Sequence, residues 1–124
     1  MFESLKIVKM AHALADHAGS RQVLVSRNIA NADTPGFKAL DMGSFADSFR
    51  EAGAMRATRA AHVGGSQGQA QIVQSPLGAD PNGNTVSLDQ EMVRAAQIRQ
   101  EHDLALSIYR ASSDILRASL GRRG

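Results

Sequence analysis

The sequence has no cysteine and no tryptophan, and only one tyrosine, four phenylalanines and three prolines in 124 residues. Without cysteine there are no disulfides, no thiolate metal sites and no cysteine nucleophile, and the redox compartment stays open. No apolar run is long enough to span a bilayer, so direct membrane insertion is not expected. The opening Met1-Phe2-Glu3-Ser4-Leu5-Lys6-Ile7-Val8-Lys9 carries charge every few residues, which predicts no apolar core of a cleaved secretory signal. Neither sign of charge dominates. Fourteen Lys and Arg face twelve Asp and Glu, for a formal charge of +2. The cations are scattered and not interleaved with aromatics, so nucleic acid is not an expected partner. Much of the 43% hydrophobic content is alanine, which buries little area per residue, so one domain without a large core is predicted.

Catalytic constellations are missing too. His12 and Asp16 stand four apart, and Glu101, His102 and Asp103 are adjacent. With no HExxH and no cysteine, these read as solvated or interfacial helix residues, not as metal ligands. Gly64-Gly65-Ser66-Gln67-Gly68 is glycine-rich, but no Lys-Ser or Lys-Thr follows, so it reads as a linker and not a phosphate loop. No GxSxG elbow places a serine beside a base. The expectation is a protein that is not an enzyme and has no cofactor or metal.

What is present is helical. From Leu5 to Ala32, the residues Ile7, Ala11, Leu14, Ala18, Val25, Ile29 and Ala32 mark one helix face at steps of three, four and once seven. Gly19 and Ser20 weaken its middle, where a kink is expected. The helix must stop by about Asp33. Thr34 precedes a proline and leaves the α region, and Pro35-Gly36 supplies the fixed φ and the positive φ of a type II turn. Asn28 and Asn31 share a helix face just before this turn and carry donors and acceptors suited to a neighbouring backbone. Asn28, Ile29, Asn31, Asp33, Thr34, Pro35, Gly36 and Phe37 are therefore read as a fixed corner at a subunit junction, with Phe37 in an apolar pocket.

A second helix is announced by Ser87-Leu88-Asp89-Gln90, a capping box in which Ser87 caps the Gln90 amide and the Gln90 side chain reaches back. It runs without Gly or Pro to Gly121, about 50 Å at 1.5 Å per residue. Leu88, Met92, Ala95, His102, Leu106 and Tyr109 mark one face. Leu104, Ile108, Ala111, Ile115 and Ala118 mark the nearly opposite one. Leu14 and Val25 are expected to pack against Leu88, Met92, Leu106 and Tyr109, leaving Leu104, Ile108 and Ile115 for neighbouring subunits.

Between the helices, Phe45, Ala46 and Phe49 predict one or two helical turns with Ser44 as N-cap. The stretch from Ala52 to Asn84 has too few aliphatics to offset its ordering entropy and is expected to be mobile, with Ile72-Val73 forming a strand only within an assembly. The predicted fold is all-α. Two long terminal helices form an antiparallel, coiled-coil-like pair, joined by a glycine-rich, largely disordered middle segment with a short helix. The divisions fall at 1–34, 35–86 and 87–124.

Two motifs carry a family resemblance. Asn28 to Lys38, reading N-I-A-N-A-D-T-P-G-F-K, is similar to the N-terminal signature of bacterial flagellar rod and hook axial proteins. Asn82 to Met92, reading N-G-N-T-V-S-L-D-Q-E-M, resembles the N-G-N-N-V-D-L-D-x-E-M that opens the C-terminal helix of the short, proximal-rod members. Thr85 and Ser87 depart from that pattern, with consequences confined to local capping. The resemblance implies a structural subunit of the flagellar basal body rod in the periplasm, exported by the flagellar type III apparatus. It also implies contacts with its own kind, with other rod proteins and with the base of the rod at the inner-membrane ring, in the service of motility. The competing expectation is a helical adaptor or export-chaperone-like binding module that does not polymerise.

Overall fold

The computed structural model describes residues 2–47, 49–50, 71–72 and 79–121. Helix α1 spans Phe2–Ala30, strand β1 Leu40–Asp41, strand β2 Gln71–Ile72 and helix α2 Leu88–Gly121. The two helices pack against each other. His12 meets Tyr109, and His17 and Arg21 both approach Glu101, so the residue numbers run in opposite senses and the pair is antiparallel. The predicted all-α architecture is thus the observed one, with a two-residue antiparallel ladder added beside it that pairs Leu40 with Ile72 and Asp41 with Gln71. Strand β2 forms within a single chain, not only in an assembly as expected. An adjacent extended backbone at Leu40–Asp41 supplies the partner that a lone strand lacks. Val73, the remainder of the 52–84 stretch up to residue 78 and the glycine-rich run at 64–68 lie outside the described residues.

The seam between the helices is narrow and made of small side chains. Ala18, Val25 and Ile98 form its buried cluster with Ala95 packed against it, and Ala11 and Ala105 are buried further along. Alanines let the two backbones come close, and van der Waals contact between close backbones replaces bulk. On α1 the expected face holds at Ala11, Ala18 and Val25. Leu14 is half-buried, while Ile7 and Ile29 are exposed. Helix α1 continues through Gly19, the weak point at which a kink or delayed folding is expected; His17 and Ala18 just before it are buried in the seam, and Gly19 itself faces open space.

On α2 the buried positions are Glu91, Ile98, Ala105 and Ser112, each seven residues on from the last, which is two turns. This seam lies beside the face marked by the large aliphatics. Leu88, Met92, Leu106 and Tyr109 are exposed, Met92 at 68%. Tyr109 still reaches α1 at its rim, ring edge against His12 with centroids 5.1 Å apart. Ile108, expected on the far side, is half-buried toward the pair. The physical reason is that charged and small residues carry the seam, so the periodicity of large apolar residues marks its flank.

The short helical stretch between the long helices forms at 45–47 and again at 49–50. Ser44 Oγ accepts the Asp47 amide at 3.2 Å, an N-cap as expected. Phe45 stacks edge-on to His17 and lies 5.6 Å from the ring of Phe49.

Candidate functional site

The first corner is built as its dihedrals require. Asn31 N–H is shared between the Arg27 and Asn28 carbonyls, and the Asn31 carboxamide donates back to Arg27 O at 2.8 Å, closing the end of α1. The type II turn follows. Phe37 N–H donates to Thr34 O at 3.2 Å across Pro35-Gly36, and Gly36 holds φ at +74°.

The second motif lies directly on this turn. Gly36 N–H donates to Asn82 O at 2.9 Å and Thr85 N–H to Phe37 O at 3.0 Å. Ala39 N–H donates to Thr85 Oγ1 at 2.8 Å, and Lys38 Nζ reaches Gly83 O at 2.9 Å. Asn84, 1% exposed, is the pin. Its amide nitrogen donates to both Asn31 O and Thr34 O at 2.8 Å, while its side-chain oxygen accepts Val86 N–H at 2.8 Å. Each of these carbonyls already accepts one local amide, Thr34 N–H at Asn31 O and Phe37 N–H at Thr34 O, and takes its second donor from 53 and 50 residues away. The two motifs thus form one double corner. A second positive φ, +82° at Gly83, brings its Cα hydrogens to the side where Gly36 passes, a position from which an added Cβ would stand 3.5 Å from Gly36 Cα.

Asn28 is fully buried and performs a different task. Its carboxamide donates to Leu40 O at 2.7 Å and accepts Leu40 N–H at 3.0 Å, bonding β1 to α1 as a neighbouring strand would. Asn28 and Asn31, expected at a subunit junction, both find partners within the chain itself. Asn31 Oδ1 also accepts the Thr34 hydroxyl at 3.1 Å. Phe37 is half-buried, and Ile29, Asp33, Thr34, Pro35 and Gly36 present an exposed rim. Of the capping box, Ser87 O accepts Glu91 N–H at 2.9 Å, while Ser87 Oγ stands 3.5 Å from Gln90 N, the outer limit of a bond.

Beyond the corner a ladder of opposite charges crosses the seam. Arg21 grips Asp41 with two nitrogens at 2.9 and 3.1 Å and touches Glu101 at 3.4 Å. Arg94 bonds Glu91 on its own helix and approaches Asp41 at 3.6 Å. Burial opposes ionisation of Asp41, but the Arg21 bond, the Met42 amide and the two guanidinium charges outweigh it and hold its carboxyl below the usual value. The Asp41 bond raises Arg21 despite the cost of its own burial. Asp41 and Arg21 therefore stay charged at neutral pH. His17 closes the row, its Nε2 at 2.9 Å from Gly43 O and its Nδ1 at 4.0 Å from Glu101.

These are structural arrangements. His102 and Asp103 are exposed while Glu101 turns into the ladder, and among the described residues no three His, Cys, Asp or Glu gather as a metal site. No described helix is long and apolar enough to cross a membrane. Sequence reasoning missed Asn84, Thr85, Lys38, Arg21, Asp41 and Arg94. The polar N-G-N-T run at 82–85, beside a corner itself rich in asparagine, was the available signal for the first two.

Residues 18–38, from the middle of α1 through the turn, match the family model described as "Flagella basal body rod protein". The chain is 30% identical over 118 residues to the flagellar basal body rod protein FlgB of Agrobacterium fabrum, covering 88% of each chain. It is 36% identical over 101 residues to FlgB of Cereibacter sphaeroides, covering 75% of this chain and 78% of the relative. The chain belongs to the FlgB family of flagellar basal body rod proteins. FlgB proteins are structural rod proteins, not an enzyme family, and the matched segment contains the turn on which the double corner is built.

Two exposed apolar strips remain on the surface of this FlgB-family chain. Leu88, Met92 and Leu106 flank the seam on one side of α2. Val93, Leu104 and Ile115 lie on the other, one below the next at intervals of about three turns. Leu104 and Ile115 thus stand exposed where a neighbour was expected, and Val93 extends their line.

Proposed function

We propose that this chain is a structural subunit of the proximal rod of the bacterial flagellar basal body, polymerising through its terminal helices. The observation that carries the reading is the pairing of a closed, hydrogen-bonded double corner with long helices whose apolar strips have no cover among the described residues. The corner fixes how the helices leave it, and the strips supply adhesion between subunits. Head-to-tail contacts between unlike surfaces allow an open helical tube to grow. In this reading the partners are further copies, other rod proteins and the base of the rod at the inner-membrane ring. In this reading the chain reaches the periplasm through the flagellar type III apparatus.

The strip at Val93, Leu104 and Ile115 is assigned to a neighbouring subunit. The test is a chromosomal Leu104→Asp, Ile115→Asp double variant. The expected outcome is export with an unchanged helical signal from the purified chain, but no rod and no swimming. Normal rods in that strain would overturn the assignment of the strip. A purified chain that only ever forms one small, defined complex with a single partner would overturn polymerisation itself in favour of a helical adaptor.

A further inference from the structure

Four asparagines occur in the chain, and one of them, Asn82, is followed by glycine. That dipeptide is the least shielded context for ring closure, because no side chain on the next residue screens its backbone nitrogen. In the closed corner the attacking nitrogen, the side-chain oxygen and both backbone carbonyls of this dipeptide are held. Gly83 N–H donates to Asp80 O at 2.8 Å, and Asn82 Oδ1 accepts Asn84 N–H at 3.0 Å. Asn82 O accepts Gly36 N–H, and Gly83 O accepts Lys38 Nζ. The first bond keeps the proton on the attacking nitrogen. The second fixes the carboxamide toward Asn84, so its carbon is not free to swing onto Gly83 N. Asn82 nonetheless lies at the surface, open to water.

We propose that Asn82 is a spontaneous deamidation site that the double corner guards, so the modification proceeds only while the corner is open. In the open chain the Gly83 nitrogen gives its proton to solvent hydroxide and bonds to Asn82 Cγ. The Cγ–Nδ2 bond breaks and ammonia leaves. Water then opens the resulting succinimide at either carbonyl, giving aspartate or isoaspartate, so the balance is one water consumed and one ammonia released. The isoaspartyl product carries the main chain through Cβ and Cγ. The former Asn82 carbonyl, acceptor of Gly36 N–H, becomes a free carboxylate, and Asn84 is displaced along the chain from the Asn31 and Thr34 carbonyls it must reach. A chain left open too long thus loses the ability to close, which separates fresh subunits from aged ones.

The test follows isoaspartate at each asparagine by peptide mapping of the full chain held in mildly alkaline buffer, native and in urea. In urea, Asn82 is expected to convert while Asn28, Asn31 and Asn84, followed by Ile29, Ala32 and Thr85, stay intact. In the native chain the rate at Asn82 is expected to fall at least about tenfold, as for any reaction that requires local opening. Lys38→Met, which removes one outer contact and no buried one, should raise the native rate in step with hydrogen exchange at the Gly83 amide. Chains aged in urea and returned to native buffer should lack protection at the Gly36 amide. Equal rates in native buffer and urea would overturn the guarding role, and an Asn82 that survives in urea would overturn the site. Full Gly36 protection in the aged chain would show that the modification does not disable closure.

Discussion

The double corner and the far end of the helix pair are built from opposite materials. At the corner, within residues 28–41 and 80–87, nearly every backbone group on the turn has a named partner, and the fully buried side chains are asparagines. At the far end, toward the start of α1 and the end of α2, the described contacts thin to alanine packing and one edge-on His12–Tyr109 pair, while Leu5, Ile7, Ile115 and Leu120 are exposed. Hydrogen bonds are directional and tolerate one geometry. Apolar surface is not, and accepts many partners. One end of the molecule therefore specifies shape, and the other presents apolar surface, the adhesive end of the proposed rod subunit.

Substitutions at each end should break this contrast in different ways. The largest loss is expected at the charge ladder that joins β1 to both helices. Asp41→Ala leaves Arg21 and Arg94, each about 15% exposed, without their shared partner, and should cost roughly 3 to 5 kcal/mol in urea unfolding. The same carboxylate sets an acid limb. Its folded pKa is depressed, so its contribution is complete above the unfolded value of about 4 and disappears as pH falls through the lower folded value. Stability of the parent chain should drop below about pH 4, and the Asp41→Asn variant should lose that part of the slope.

Next comes the pin. Asn84→Ala strands the Val86 amide and takes the second donor from the Asn31 and Thr34 carbonyls, and should cost about 1 to 3 kcal/mol, the range for one buried group left unpaired. Exchange should accelerate at Gly36, Thr85 and Val86 before it does at Ile98. Gly36→Ala should cost about 1 to 2 kcal/mol, entirely from the positive φ, because open space surrounds the added Cβ. Gly83→Ala should match it within error, since its Cβ meets Gly36 at ordinary contact distance. A much larger cost at Gly83 would show that the two turns are packed more tightly than their hydrogen bonds require.

The smallest effect on the free chain belongs to the adhesive end. Leu104→Ser, at a side chain 54% exposed, should change the unfolding free energy by no more than about 0.5 kcal/mol and yet weaken assembly. Leu106→Ala, at a position 39% exposed, should likewise fall short of the 2 to 5 kcal/mol typical of a fully buried leucine. If either cost more than Asn84→Ala, the division between specifying and adhesive ends would fail.

The same division explains what could be read from residues alone. Pro35-Gly36 encodes its own dihedrals, so the turn was legible, as were both helices, from periodicity and their punctuation. The face of α2 that meets α1 was not. Ile98 is the one large aliphatic among its buried positions, and Glu91, Ala105 and Ser112 give no apolar stripe to follow, whereas the conspicuous Leu88, Met92 and Leu106 stand outside. The bonds of Asn28 to Leu40 and of Asn84 to Asn31 and Thr34 were hidden for another reason. A side chain that satisfies a distant backbone leaves no period in the sequence, and only the meeting of the two motifs in space assigns its partner.

The Thr85–Phe37 bond and the Asn84 pin also settle how the chain between them counts energetically. They tie residues 37–39 to residues 82–85, so the chain between these two segments is closed into a ring. Closing such a ring costs entropy that grows only logarithmically, about 0.6 kcal/mol for each doubling of its length. Beyond the residues that bond the helices, Asp41 foremost, the enclosed segment can therefore change its length at little thermodynamic cost, while the geometry handed from α1 to α2 stays the same.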